Sequence, residues 1–255
     1  MLRNKPHRQD YNAYTKEDFE VWHLLFERQL QLLKDNASKL YLNALTCIGF
    51  NADEIPDFEK TNKRMLEMTG WRLTVVPELV PQKQFFELLA QKIFPATCWL
   101  RTMKELDYLE EPDMFHDVFG HAPLLVNCAY ASFMEGFGKL AIQWLHNPEA
   151  IALLGRIYWF TIEFGLLRER NENKIFGAGI ISSIEETKHS MSSKSGKIAF
   201  DIEEMLTTDY RTDTLQNNYF VINSFEELCA ALPTISLLIK KTFVKSRYFM
   251  KSSAQ

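Results

Sequence analysis

The run Ile157–Leu167, "IYWFTIEFGLL", constrains this chain more than any other segment, because Glu163 is the only acid in an otherwise apolar stretch. Such a run must be buried, and an isolated carboxylate in apolar surroundings costs several kcal/mol unless it is paired or bound to a metal. Arg101, Arg156 and Arg168 offer the ion-pair solution. A metal offers the other.

A metal would need further ligands, and "EEPDMFHDVFGHAP" at 110–123 supplies two imidazoles, His116 and His121. On a straight α-helix, residues five apart diverge by about 140° of arc and do not share a face. They can still straddle one ion if Gly120 relaxes the backbone between them. The spacing differs from the HExxH of zinc hydrolases, whose i,i+4 histidines point together. Asp117, directly beside His116, is awkwardly placed as a third ligand, whereas Glu163 is well suited by its need for a cation. Two histidines and one carboxylate leave positions open for dioxygen and water, the facial arrangement of non-haem Fe(II) oxygenases. Zinc on the same three side chains would suit hydrolysis. Phe115, Phe119, Tyr158, Trp159, Phe160 and Phe164 surround these positions in sequence; some suit a dry pocket, and others must be core.

The whole chain, 255 residues and 46% hydrophobic, can bury roughly 70–75% of its unfolded surface. A formal charge of -4, with basic and acidic residues interspersed, gives no positive field for nucleic acid. There is no 18-residue apolar run to span a membrane, and the polar start "MLRNKPHRQDYNAY" is no secretory signal. Cys47, Cys98, Cys128 and Cys229 are far apart, without a CxxC clamp, and read as buried reduced thiols. A cytoplasmic location follows as an expectation.

The pattern predicts a mainly α single domain with a few short β-strands: an arm at 1–13, a catalytic body at 14–245 and a tail at 246–255. Thr15, with Asp18 in the capping-box position, opens the first long helix. A second helical stretch closes at Gly70. "WRLTVVP" reads as a strand, "PQKQFFELLAQKIF" as an amphipathic helix and "TCWLRT" as a short strand. Pro112 opens the helix carrying His116. Helices are expected over about 125–146 and 149–169. "KIFGAGIISS" reads as strand or loop, "SIEETKHSMSSKSGK" as a helix running into a polar loop, "YFVI" as a strand. Ser224 caps the last helix, which Pro233 can interrupt. "GAGIIS" lacks the third glycine of a dinucleotide fingerprint.

The segments "RTMKELDYLEEPDMFHDVFGHAPLL", "IYWFTIEFGL" and "FGAGIISS" together resemble the catalytic domain of the pterin-dependent aromatic amino acid hydroxylases, in their short bacterial form. The resemblance runs from about residue 14 to about 228. It implies Fe(II) on His116, His121 and Glu163. L-phenylalanine and dioxygen are the implied substrates, with a tetrahydropterin such as tetrahydrobiopterin as cosubstrate; the products are L-tyrosine and a 4a-hydroxylated pterin. It further implies that Arg101, oriented by Asp113, holds the substrate carboxylate, as a planar guanidinium can. Trp159, Phe164, Gly179, Ser182 and Ser183 border the amino acid, and Ser182 also supports an iron-ligating histidine. Phe85 stacks on the pterin, with Val80, Gln82, Asp117, Tyr158 and Tyr210 nearby, Tyr210 as a pterin-side or lid residue. Phe86 is exchangeable with Phe85 by a one-residue slip. Leu109 and Gln82 depart from the threonine and serine of animal members. Tyrosine or tryptophan as substrate stays open, as do a zinc hydrolase and a non-catalytic amino acid binder. A pterin dehydratase and reductase are the implied functional partners, and a monomer or simple dimer the implied assembly. His7, His23, His146 and His189 receive no role.

Overall fold

The computed structural model describes residues 5–252; residues 1–4 of the expected arm and 253–255 of the expected tail lie outside the described residues. Thr15 begins the body as its composition dictates. Its hydroxyl accepts the Asp18 N–H at 3.2 Å while the Asp18 carboxylate accepts the Thr15 N–H at 2.7 Å. This reciprocal cap starts α1 (Lys16–Asn36). α2 (Lys39–Ile48) ends on left-handed Gly49, and α3 (Phe58–Met68) is followed by Gly70, also at positive φ, as a C-terminal stop requires. The preceding arm is not loose where it is described. Gln9 reaches the Pro56 carbonyl at 2.8 Å and accepts the Phe58 N–H at 2.7 Å.

A two-stranded parallel sheet follows, β1 (Arg72–Val75) with β2 (Ile93–Ala96), joined through α4 (Gln82–Leu89). The strand therefore lies just before "TCWLRT", which is irregular. α4 stops earlier than its pattern suggests because the chain turns at Lys92, whose φ is 60°. α5 (Cys128–Ile142) and α6 (Pro148–Tyr158) are each capped by an asparagine that accepts two backbone N–H groups.

The helix expected to reach 169 does not. It passes at Trp159 into a π-helical turn, and from Leu166 the chain is extended in β3 (Leu166–Glu169). β3 hairpins into β4 (Glu172–Ile175) through Arg170 and Asn171, both at positive φ as the strand twist demands of a two-residue turn. The short helices α7 (Ala178–Ile181), α8 (Ile184–Met191) and α9 (Ile202–Thr207) alternate with β5 (Gly196–Ala199) and lead to β6 (Asn218–Ile222). These strands form one sheet in the order β4-β3-β6-β5. α10 (Phe225–Ser252) continues through Pro233 without interruption. Packing offsets the lost hydrogen bond, since Leu232 fills the space above Gly136 of α5 and the Phe225 ring meets Tyr130 at 5.2 Å. The backbone of 246–252 thus prolongs a helix rather than forming a separate tail.

A main apolar core joins most of these elements, and a smaller cluster of Phe160, Met205 and Phe220 lies beside it. Trp22, Phe26, Tyr41, Phe115 and Phe119 meet at the centre of the main core, each at most 3% exposed. Burial of each such ring stabilises the fold by about 2–3 kcal/mol. The Tyr41 hydroxyl donates to the Phe119 carbonyl at 2.8 Å, which anchors the segment carrying the two histidines. The thiols are free, but only Cys98 is buried. Cys47 and Cys128 are exposed, on the solvent sides of their helices. Among the described residues, no helix is long and apolar enough to cross a membrane.

A candidate metal centre at the floor of an aromatic cavity

Five residues between two imidazoles would be a poor spacing on an α-helix, and the chain does not use one. Phe115–His121 forms a π-helical segment, entered from Met114 rather than from Pro112. Its i→i+5 hydrogen bonding widens the turn, so residues five apart come onto one side. Phe115 and Phe119 stack on each other at 4.6 Å on the core side, and His116 and His121 face the other way. Gly120 contributes less by relaxing the backbone than by close packing. A Cβ there would stand 3.1 Å from the Ala178 carbonyl.

Glu163 ends the second π-helical segment, Trp159–Glu163, closed by the Phe164 N–H on the Trp159 carbonyl at 2.9 Å. The same wide turn therefore serves both ligand-bearing segments. His121 Nε2 lies 3.2 Å from Glu163 Oε1 and 3.3 Å from His116 Nε2, and His116 Nε2 lies 3.7 Å from Glu163 Oε2. None of the three arginines considered as partners pairs with Glu163. Arg101 is taken by Asp113 and Arg156 by the Asp209 carboxylate and loop carbonyls, while Arg168 sits on β3.

The protonation pattern fits a cation. Ser182 Oγ spends its hydrogen on the Ala178 carbonyl at 2.9 Å and so accepts from His116 Nδ1 at 2.8 Å. That fixes the tautomer with the Nε2 lone pair facing Glu163 and His121. Burial pushes the His116 imidazole down to about 4, against the opposing pull of Glu163, so it is a neutral donor at physiological pH. Burial tends to raise the Glu163 carboxyl, but His121, His116 and the Gly179 N–H outweigh it and hold it below the usual range. Three lone-pair atoms with one negative charge converge at separations close to the ~3 Å expected of ligands at right angles about 2.1 Å from one ion. Among the described residues, this is the one group of at least three histidine, cysteine or acidic side chains arranged to hold a metal.

Above them opens a cavity of about 280 Å³. Val80, Gln82, Phe85, Asp117, Tyr158, Trp159 and Tyr210 all line it with the three ligands. Phe86 also touches it, but that ring is 3% exposed and packs at 6.0 Å on Phe137, so Phe85 is the freer face. Phe85 stands edge-on to Tyr158 at 5.3 Å. Asp117 is held by the Thr97 N–H and hydroxyl at 2.8 and 2.9 Å, and burial pushes its carboxyl up to about 6 despite those bonds.

Six expected residues lie next to this lining but are not part of it. Arg101 and the fully buried Asp113 form a bidentate pair with both contacts at 2.9 Å, beside the His116 backbone. Phe164 backs Trp159 at a ring distance of 4.4 Å. Gly179 is tight against the Phe164 ring and the Glu163 carbonyl, where a Cβ would come within 2.7 and 3.1 Å, so its smallness serves packing of the loop on Glu163. Ser182 orients His116 as described, and the Ser183 hydroxyl caps α8 by accepting the Glu186 N–H at 3.2 Å. Thr97 and Phe94, whose ring lies tilted against His121 at 4.8 Å, carry no charge or spacing signal in the sequence. His7, His23 and His146 are exposed and His189 half-buried, away from the cavity.

Two imidazoles and a carboxylate at the base of an open, largely apolar cavity are the donor set of the non-haem Fe(II) oxygenases. Residues 7–252 match the family of biopterin-dependent aromatic amino acid hydroxylases, and the chain belongs to it. The phenylalanine-4-hydroxylase of Chromobacterium violaceum is 42% identical over 221 residues, covering 86% of this chain and 74% of the relative. That of Pseudomonas aeruginosa is 40% identical over 227 residues, covering 89% and 86%. The crystal structure of the C. violaceum enzyme with iron(III) and oxidised 7,8-dihydrobiopterin superposes with a TM-score of 0.84 at 40% identity, over 90% of this chain and 84% of that one.

Proposed function

We propose that this chain is a phenylalanine 4-monooxygenase. L-phenylalanine, dioxygen and a tetrahydropterin give L-tyrosine and 4a-hydroxytetrahydropterin, one oxygen atom going to each product. The convergence of His116, His121 and Glu163 within 4.8 Å of one another, in a chain this similar to phenylalanine-4-hydroxylases, carries the reading.

His116, His121 and Glu163 hold Fe(II), which with the tetrahydropterin supplies the activation of dioxygen. The protein supplies orientation and dryness. Asp113 fixes Arg101, whose remaining N–H groups take the substrate carboxylate; Leu109 adds no hydroxyl there, so the guanidinium bears most of that task. Trp159, backed by Phe164, flanks the substrate ring, and Gly179 and Ser182 set the loop and the histidine beneath it. Ser183 acts on this border through the start of α8. Phe85 offers its face to the pterin, with Val80 and Gln82 along its edge, Tyr158 below and Asp117 within reach through water. No side chain need act as a nucleophile. The hydroxylated pterin must be dehydrated and reduced before reuse, so a dehydratase and a reductase are the functional partners, in the cytoplasm, with the enzyme as a monomer or simple dimer.

Anaerobic protein loaded with Fe(II), reduced pterin and L-phenylalanine should form tyrosine in proportion to pterin consumed when oxygen is admitted. Equal turnover of tyrosine or tryptophan in competition would overturn the substrate assignment. Activity with zinc and without pterin would overturn the reaction.

A further inference from the structure

Between Met205 and Tyr219 the chain runs over the surface, and only one residue there is buried: Gln216, 5% exposed. Its polar groups are all engaged. The side-chain oxygen accepts the Trp159 indole N–H at 3.0 Å, and the amide nitrogen donates to the carbonyls of Arg211 at 2.7 Å and Thr214 at 3.1 Å. The backbone N–H donates to the buried Glu186 carboxylate at 3.1 Å, and the carbonyl meets His189 Nε2 at 3.1 Å. A rotated amide would face donor to donor at the indole and acceptor to acceptor at both carbonyls. Only the present orientation is compatible with its neighbours.

Gln216 therefore joins an indole in the cavity, the loop that crosses it and the buried Glu186–Tyr219 pair. The same loop carries Tyr210, which lies nearly flat on Trp159 at 4.7 Å and 23° and lines the cavity. Arg156 ties the loop's other end through the Leu206 and Thr208 carbonyls at 3.3 and 3.1 Å. With Phe164 against the indole as well, Trp159 is clamped by rings and pinned at its one polar atom.

We propose that Gln216 is a positioning residue for the aromatic wall. It sets the pose of Trp159 and Tyr210, and through them the fit of the amino acid ring, without touching substrate or cofactor. This rests on the reading above in which Trp159 flanks the amino acid. Removing Gln216 leaves the indole N–H and two loop carbonyls without partners, and the loop relaxes to hydrate them, lifting Tyr210 from Trp159.

The test uses iron-loaded full chain and measures tyrosine formed against pterin oxidised. Gln216→Leu should raise KM for L-phenylalanine about tenfold and lower the tyrosine yield per pterin, with a clearly smaller rise in KM for the pterin, on whose side Tyr210 also stands. Gln216→Glu keeps an acceptor for the indole but opposes its second oxygen to two carbonyls, so KM for L-phenylalanine should rise there too. Tyr210→Ala should reproduce the effect, and combining it with Gln216→Leu should add less than about twofold, since both act through one loop. Unchanged phenylalanine KM in Gln216→Leu, full additivity, or an equal rise in both KM values would overturn the proposal. If Gln216→Leu does not fold, an unchanged KM in both Gln216→Glu and Tyr210→Ala does so instead. Wild-type protein forming no tyrosine would sink the functional reading and this inference with it, whereas active wild type beside an unaffected Gln216→Leu sinks the inference alone.

Discussion

The floor and the wall of the cavity are built by opposite means. The floor is two π-helical turns pressed into the core by Phe115, Phe119, Ile162 and their neighbours, so that three ligand atoms meet through many redundant apolar contacts. The wall is Tyr210 laid on Trp159, and Tyr210 comes from a surface loop that rests on the small cluster of Phe160, Met205 and Phe220 and is tied by directed hydrogen bonds from Gln216 and Arg156. A metal centre tolerates little misplacement and is fixed by packing, which no single contact controls. A wall that must admit a substrate is fixed by ties that can give way separately.

The largest effect should come from the floor itself. Glu163→Gln removes the only charge among the ligands, and the loss of that anchor for a divalent ion should lower activity on the order of a thousandfold or more. Because the floor is held by packing, Tm of the metal-free protein should change little. A variant that keeps Fe(II) at wild-type affinity would show that the floor holds its ion without that charge. Ser182→Ala tests the directed tie on the His116 ring. It frees His116 to rotate and change tautomer, and should weaken iron binding about 10- to 100-fold. Both KM values should stay near wild type once iron is saturating. A rise in phenylalanine KM at saturating iron would place Ser182 in substrate contact instead.

The floor was also the more legible part in sequence. A lone acid in an apolar run asks for a cation whatever the backbone does, and two close histidines suggest a metal, although an arginine partner stays open until the fold places all three arginines elsewhere. What the pattern hides is the π turn, since Ile157, Phe160 and Phe164 also satisfy a 3.6-residue period. β3 is hidden for a related reason, as "GLLRE" reads equally as buried strand or helix. Gly165 was the available signal, because a Cβ there would stand 2.3 Å from both the Phe176 ring and the Thr161 carbonyl, room that only the break in the helix explains. Capping signals at Thr15 and Gly70 were local and therefore readable. Gln216 had none. Its neighbours in sequence, Leu215 and Asn217, are exposed, and its importance comes from Trp159 and Glu186, which only the fold brings to it.

The smallest effect should come from the base of the wall. Glu186 accepts the Gln216 N–H and the Tyr219 hydroxyl on one oxygen. Burial pushes its carboxyl above the ordinary value of 4.5, with Glu185 adding to the rise and Tyr219, Gln216 and His189 opposing it. The folded chain thus holds this proton more tightly than the unfolded chain does. Its contribution is complete below the unfolded value and is lost as pH rises through the folded one. Glu186→Gln keeps an oxygen for both donors and has no proton to lose. Its Tm should match wild type below about pH 4.5, exceed it as pH rises and level off once the folded carboxyl has ionised, by a few degrees at most for a chain this long, with phenylalanine KM unchanged because Gln216 keeps its anchor. A Tm difference that is flat with pH would show that the carboxylate is charged without cost. A higher phenylalanine KM would show that the wall depends on the charge at its base and not merely on an acceptor there.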